Sequence, residues 1–216
     1  MAGSGMAVAE TGEAGGPATR RERRKLEVRL RMVDAASALF EERGYAATTV
    51  AEICERADVA TKTFFNHFPT KQHLVRELAH RAVDRLLVDI EALRRESTST
   101  RERLVRFFDI IAVAATEVGP RHREVLTEII HAASGVPGDA HTRQLGSAME
   151  SIIRDGIAAG EVATRHRPDT LSDLILGAFY ALMFNWANLD DYPVRERARA
   201  MARLLGETIV PGEQED

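Results

Sequence analysis

The 216-residue chain has one cysteine, one tryptophan and three tyrosines, and aromatic residues make up only 6% of it. Cys54 alone can close no internal disulfide and build no thiolate zinc cluster, and its place on an apolar helical face marks it as a small core residue. Long apolar runs are also missing. The longest spans positions 174–184, far short of the roughly 20 residues that cross a bilayer. The first 30 residues contain no secretory apolar stretch. A soluble cytoplasmic protein with no membrane partner is expected.

Equipment for catalysis is just as scarce. His122, His131, His141 and His166 fall in different segments, and no two have the i, i+4 spacing of a helical metal pair. Gly135-Val136-Pro137-Gly138 lacks the lysine of a phosphate cradle. No nucleophile sits in a pattern with a base. The expectation is no enzyme, no metal and no cofactor.

Charge is plentiful, and it is uneven. The formal net charge is −4, yet residues 20–80 hold 12 Lys and Arg against 9 Asp and Glu, while residues 81–216 hold 17 against 22. The excess peaks at Arg20, Arg21, Arg23, Arg24, Lys25, Arg29 and Arg31, opposed only by Glu22 and Glu27. A polyanion would be met at this end.

No stretch alternates like a strand, whereas three- and four-residue apolar steps recur throughout. Residues 1–24, poor in large apolar side chains, read as a flexible basic arm. A first helix runs from Leu26 through Leu30, Val33, Ser37 and Phe40 to a stop at Gly44. Thr49 and Glu52 form a capping box for a short second helix carrying Val50, Ile53, Cys54 and Ala57. Asp58-Val59 makes a turn, and a third helix spans Ala60 to His67 before Pro69. Two short helices joined by a tight turn and packed on a longer one read as a helix-turn-helix over 25–71. A long helix follows, with Leu74, Leu78, Ala82, Leu86, Ile90 and Leu93 on one face. Further helices are expected at about 100–118, 121–133, 139–159, 169–188 and 193–209. The fold class is all-α, about nine helices, with 72–216 a second helical domain.

A helix-turn-helix sets its second short helix in the major groove, and flanking helix ends hold phosphates. Ala60, Thr61, Lys62, Thr63, Asn66 and His67 supply polar groups and methyls suited to base edges: Lys62 to guanine or phosphate, Asn66 to adenine or phosphate, threonine methyls to thymine. Helix amino ends fall at Thr48-Thr49 and Thr70-Lys71, and Lys71 adds a full charge for phosphate. Phe64 and Phe68, four residues apart, are expected to pack the third helix onto the first two.

Residues 35–50 (AASALFEERGYAATTV) and 57–71 (ADVATKTFFNHFPTK) closely resemble the amino-terminal domain of the tetracycline-repressor (TetR) family of bacterial regulators. Thr48, Thr49, Thr63, Phe65, His67 and Lys71 match family positions at the opening of the second helix, along the recognition helix and at the start of the fourth. The resemblance implies a homodimer that reads a palindromic double-stranded DNA operator and a divergent carboxy-terminal domain that binds a small effector. Three positions depart from the pattern. Asp58 stands where the family has Gly, Ala60 where Ser is common, and Phe65 where Tyr is usual, which removes a hydroxyl from a phosphate contact. The basic arm would compensate by lying along the backbone or in a minor groove.

For the subunit interface, Leu171, Leu174, Ile175, Ala178, Phe179 and Leu182 of one late helix and Val194, Ala198, Met201 and Leu205 of the next suit a four-helix contact between two copies. An effector pocket is expected among Phe107, Phe108, Ile111, Met149, Ile152, Ile153, Tyr180, Met183, Phe184 and Trp186, whose content suits a bulky apolar compound. The reading is a ligand-responsive regulator of transcription, a repressor released by its effector. The alternative is an all-α small-molecule-binding or scaffolding protein with a degenerate helix-turn-helix.

Overall fold

The computed structural model describes residues 19–118 and 140–209, with Arg123 and Thr127 between them. Its eight helices are α1 (Arg20–Arg43), α2 (Val50–Arg56), α3 (Thr61–His67), α4 (Lys71–Arg95), α5 (Thr100–Val118), α6 (Ala140–Ala158), α7 (Pro168–Asn188) and α8 (Val194–Ile209). There is no strand among the described residues. The helix expected over 121–133 lies outside them except at Arg123 and Thr127, as does the arm up to residue 18. No helix among the described residues is long and apolar enough to cross a membrane.

One boundary of the expected arm is corrected. Residues 20–24 are the start of α1, because Thr19 and Glu22 form a complete capping box: each side chain bonds the other's backbone N–H. A cap of this kind satisfies two of the orphan donors at the helix start, and that fixes where the helix begins. The same device opens α2, where Thr49 and Glu52 exchange bonds as the sequence predicts. At the turn before α3, Asp58 takes φ 51°, a left-handed conformation that aspartate tolerates better than most residues. Ala60 stands at the amino end of α3 and supplies no side-chain cap.

Burial divides the described residues into two cores. The smaller joins α1, α2 and α3 through Met32, Val33, Ala36, Phe40, Ile53, Phe64 and Phe68, and it takes Leu74 and Val75 from α4. It therefore reaches past the boundary expected at residue 71. The larger core is built from α4 to α8 around Phe107, Phe108, Met149, Ile152, Ile153 and Ile175. There α5 packs along α8, and α6 packs between α4 and α7. Among the described residues, α4 alone contributes buried residues to both cores, with Leu74 and Val75 in one and Ile90 and Leu93 in the other. At 1.5 Å per residue, about 24 Å of continuous helix separates the two sets.

Two ion pairs brace this junction. Arg29 of α1 meets Glu77 of α4 at 2.5 Å, and Arg81 of α4 meets Asp34 of α1 at 2.8 Å. The hydrogen bond from Arg29 holds the Glu77 carboxyl below its ordinary value of 4.5. A carboxyl depressed on folding stabilises the fold at pH values above its unfolded value, and the contribution disappears as pH falls through the folded value. The stability difference between wild type and Glu77→Gln is therefore expected to reach at most about 1 kcal/mol near neutrality, given the partial exposure of the pair. In urea titrations it closes in acid well below pH 4.5. A difference that persists unchanged into acid would show that the charge of Glu77 is not what matters.

Candidate nucleic-acid interface

The small core leaves one side of α3 uncovered. Phe64 and Phe68 are fully buried, as their spacing predicts, and they anchor the helix against α1 and α2. Ala60, Thr61, Lys62, Phe65 and Asn66 are exposed, and Thr63 is half-buried. Phe65 is 50% exposed even though its ring stands edge-on to Phe64, with centroids 5.5 Å apart. A short helix with apolar anchors behind and Thr, Lys, Phe and Asn in front can present side chains to a groove without rearrangement.

The supporting residues do other work than the sequence suggested. Thr48 is 1% exposed, and its hydroxyl donates to the carbonyl of Gly44 at 2.8 Å. Its side chain is thus turned into the fold and away from any phosphate, because the last carbonyls of α1 need a donor there. The Thr49 hydroxyl, though exposed, donates to Glu52 and accepts from the Glu52 N–H. Only backbone groups at this helix start are left to meet a phosphate. The Lys71 ammonium donates to the carbonyls of Tyr45 and Thr48 at 2.7 and 2.9 Å and lies 3.9 Å from the centroid of the Tyr45 ring. It clamps the α1–α2 connection onto α4.

His67 is half-buried at the carboxyl end of α3, and its Nδ1 makes no hydrogen bond among the described residues. Burial, with the charges of Lys25 and Arg29, pushes the imidazole below its ordinary value, which disfavours its cationic form. The Arg29 guanidinium stacks 4.6 Å from the Phe68 ring centroid and donates to the His67 carbonyl at 3.5 Å. Burial raises the Cys54 thiol, consistent with an inert core residue.

Thr48 provides a direct check on this division of labour. Thr48→Val keeps the shape and removes the buried donor. It is expected to lower unfolding free energy by about 1–3 kcal/mol, because the Gly44 carbonyl loses its partner. Thermal unfolding measures that loss, and DNA affinity measured where the variant is folded should stay within about threefold of wild type. A large affinity loss without a stability loss would place the hydroxyl on DNA after all.

In the carboxy-terminal helices the structure re-sorts the expected residues. Phe107, Phe108, Ile111, Met149, Ile152, Ile153 and Trp186 are buried together in the larger core, with Met183 packed against it. Tyr180 and Phe184, expected beside them, face outward at 38% and 50% exposure. Conversely, Leu171, Ile175, Leu182, Val194, Ala198 and Leu205, expected between subunits, are buried inside this one. Ala178, Phe179 and Met201 pack partly against the same core. Only Leu174 of the expected interface set lies in the open. The reason is that α7 is apolar on more than one side. One stripe (171, 175, 182, 186) fills the subunit and a second (174, 177, 181, 184) is left outside, with exposed Leu204 on neighbouring α8. A helix apolar all round signals two packing faces. That signal was available from the sequence, and assigning the two faces needed the packing.

A rigid helix-turn-helix with a polar, exposed second helix, mounted by a long connecting helix on a separate helical core, defines a DNA-binding regulator. Residues 32–78 match the family model described as "Bacterial regulatory proteins, tetR family". Along its length the chain is 28% identical over 203 residues to the HTH-type transcriptional repressor KstR of Mycolicibacterium smegmatis, covering 93% of this chain and 94% of that one. Its fold matches the TetR-family repressor FadR of Thermus thermophilus, solved with lauroyl-CoA, at a TM-score of 0.68 and 22% identity over 87% of this chain and 98% of that one. The regulator FadR of Bacillus subtilis, solved with stearoyl-CoA, matches at a TM-score of 0.60 and 19% identity over 83% and 98%. Residues 32–78 thus form a DNA-binding domain of the TetR-family type, and the chain as a whole is similar to ligand-responsive, DNA-binding regulators of transcription.

Proposed function

We propose that the protein is a homodimeric repressor that reads a palindromic operator with two copies of α3 and releases it when an apolar effector enters the larger core. The observation that carries this reading is the exposed Thr61-Lys62-Phe65-Asn66 face on a helix whose opposite side is locked by Phe64 and Phe68. Dimerisation is supported by the outward stripe of α7, where Leu174 and Phe184 are each 50% exposed, and by Leu204 of α8 at 65%. Gly177 lies between them with nothing within 4 Å of a Cβ placed there, which leaves room for a neighbouring helix to approach closely.

The effector site proposed lies among α4, α5, α6 and α7, lined from Phe107, Phe108, Ile111, Met149, Ile152, Ile153, Met183 and Trp186. An acyl thioester is the class to test first, since the two FadR neighbours were solved with such ligands. Release works by population shift. A ligand that wedges the larger core tilts α4, and the Arg29–Glu77 and Arg81–Asp34 pairs carry that tilt to α1 and the reading head. Swinging occupancy from nearly full to nearly empty needs about 10⁴-fold preference for the tilted state.

The test uses sedimentation together with fluorescence anisotropy on DNA from upstream of the protein's own gene. Wild type is expected to sediment as a dimer, and its complex to dissociate on adding lauroyl-CoA. The double variant Leu174→Asp/Phe184→Asp should be monomeric, helical and deficient in specific binding. A monomeric wild type that binds specifically, or a variant that still dimerises, would refute the assigned interface.

A further inference from the structure

We propose that the first two turns of α1, residues 20–27, are a second DNA-contacting surface: a cationic rod that follows the phosphate backbone just outside the groove segment read by α3. This rests on the reading of α3 as the base-contacting helix and extends the footprint beyond it.

Position comes first. Lys25 and Arg29 lie one turn apart on the same side of α1, and both charges act on His67 at the carboxyl end of α3. Arg29 also touches the His67 carbonyl at 3.5 Å. The amino end of α1 therefore leaves the small core beside the end of the recognition helix. Arg21 is one further turn out from Lys25, and from Lys25 to Arg20 the helix advances about 7.5 Å. Every residue from Thr19 to Glu27 is exposed, including Leu26 at 55%. Burial begins only with Val28, which packs partly against the small core.

Electrostatics comes second. Arg20 and Arg24, and Arg21 and Lys25, are like charges at i, i+4, while Arg20 and Arg23, and Arg21 and Arg24, are like charges at i, i+3. Such pairs destabilise a helix. All of them crowd the end where the helix dipole is positive and where acids, not cations, are favourable. Among the described residues, none of Arg20, Arg21, Arg23, Arg24 and Lys25 forms an ion pair, and Glu22 is occupied in the capping box. The segment is thus specified as a helix by its cap, receives no core contact in return, and is loaded with charge that opposes it. A conflict of this kind between local rules marks a functional surface. Duplex DNA, with one negative charge per about 1.7 Å of axis, supplies the missing counter-charge.

The experiment compares full-length wild type, Arg20→Ala/Arg21→Ala/Arg24→Ala and Arg20→Lys/Arg21→Lys/Arg24→Lys on an operator duplex selected by wild type from random sequence. Salt dependence of binding and hydroxyl-radical footprints are read for each. Because the three residues touch no core and their charges oppose the helix, helical circular dichroism and melting temperature in the alanine variant should not fall below wild type. The alanine variant is expected to lose at least tenfold in affinity for operator and non-specific DNA alike. Its log–log salt slope should be shallower by about 0.9 per lost phosphate contact, or about 2.7 per bound protomer, and its footprint should shorten at the outer edge of each half-site. The lysine variant should retain slope and footprint. Wild-type slope and footprint in the alanine variant would overturn the proposal while leaving α3 as the reading helix. Failure of wild type to select any sequence would remove the reading of α3 and this extension together.

Discussion

Alanine at both Lys62 and Asn66 is expected to weaken specific operator binding by at least about 30-fold per half-site. Each side chain is exposed on the outward side of α3, and a good base-edge contact contributes about 1–3 kcal/mol of discrimination. Two contacts at the lower end of that range amount to about 2 kcal/mol, and 1.4 kcal/mol is tenfold. If Lys62 meets a phosphate, its share falls equally on every sequence and the salt slope drops by about 0.9; if it meets guanine, discrimination at one position relaxes instead. The single variants separate these outcomes. Neither residue contributes to a core, so the double variant should melt within about 2 °C of wild type, the scale of a sub-kilocalorie change. Anisotropy titrations against operator and scrambled duplexes provide the reading. Undiminished operator preference in a folded double variant would mean that α3 does not read bases.

The adjacent phenylalanines Phe64 and Phe65 provide a stability contrast. Phe64 is 0% exposed, its ring packed against Phe68 at 5.7 Å between centroids and against the α1–α2 core. Phe64→Ala should cost about 3–5 kcal/mol, the range for a large-to-small change that leaves a cavity. Because Phe64 holds α3 in place, operator binding should fail at temperatures where the larger core still stands. Phe65 is half in water, and Phe65→Ala should cost only about 0.5–1 kcal/mol, chiefly from its edge contact with Phe64. Its larger effect is expected in DNA affinity, because half of the ring is open to a partner. Urea unfolding of both variants, followed by far-ultraviolet circular dichroism, tests the contrast. Equal destabilisation by the two would mean that α3 is rotated from the orientation described.

Much of the reading head is legible in the sequence because short-range chemistry determines it. The Thr49–Glu52 capping box, the turn at Asp58-Val59 and the Phe64–Phe68 spacing each act over four residues or fewer, and each appears as expected. The Thr19–Glu22 box is equally local and was hidden only by the low hydropathy around it. Contacts between distant segments are another matter. That Lys71 would turn inward to Tyr45 and Thr48, and that Arg29 would reach Glu77, depend on how α1 and α4 cross. Periodicity shows α7 to be apolar, but it does not say which of its two stripes meets α6 and which stays exposed. Tyr180 and Phe184, expected in the interior, therefore lie exposed, and Leu171 and Ile175, expected at a surface, lie buried.

The central claim is that two symmetry-related copies of α3 enter successive major grooves on one side of a duplex. Methylation-protection footprinting with dimethyl sulfate on a selected operator measures this most directly. Two clusters of protected guanine N7 positions are predicted, related by a dyad, with centres about one helical turn apart, roughly 34–36 Å, or a multiple of it. Protection spread evenly along the duplex, or a single cluster with no symmetry mate, would contradict the account.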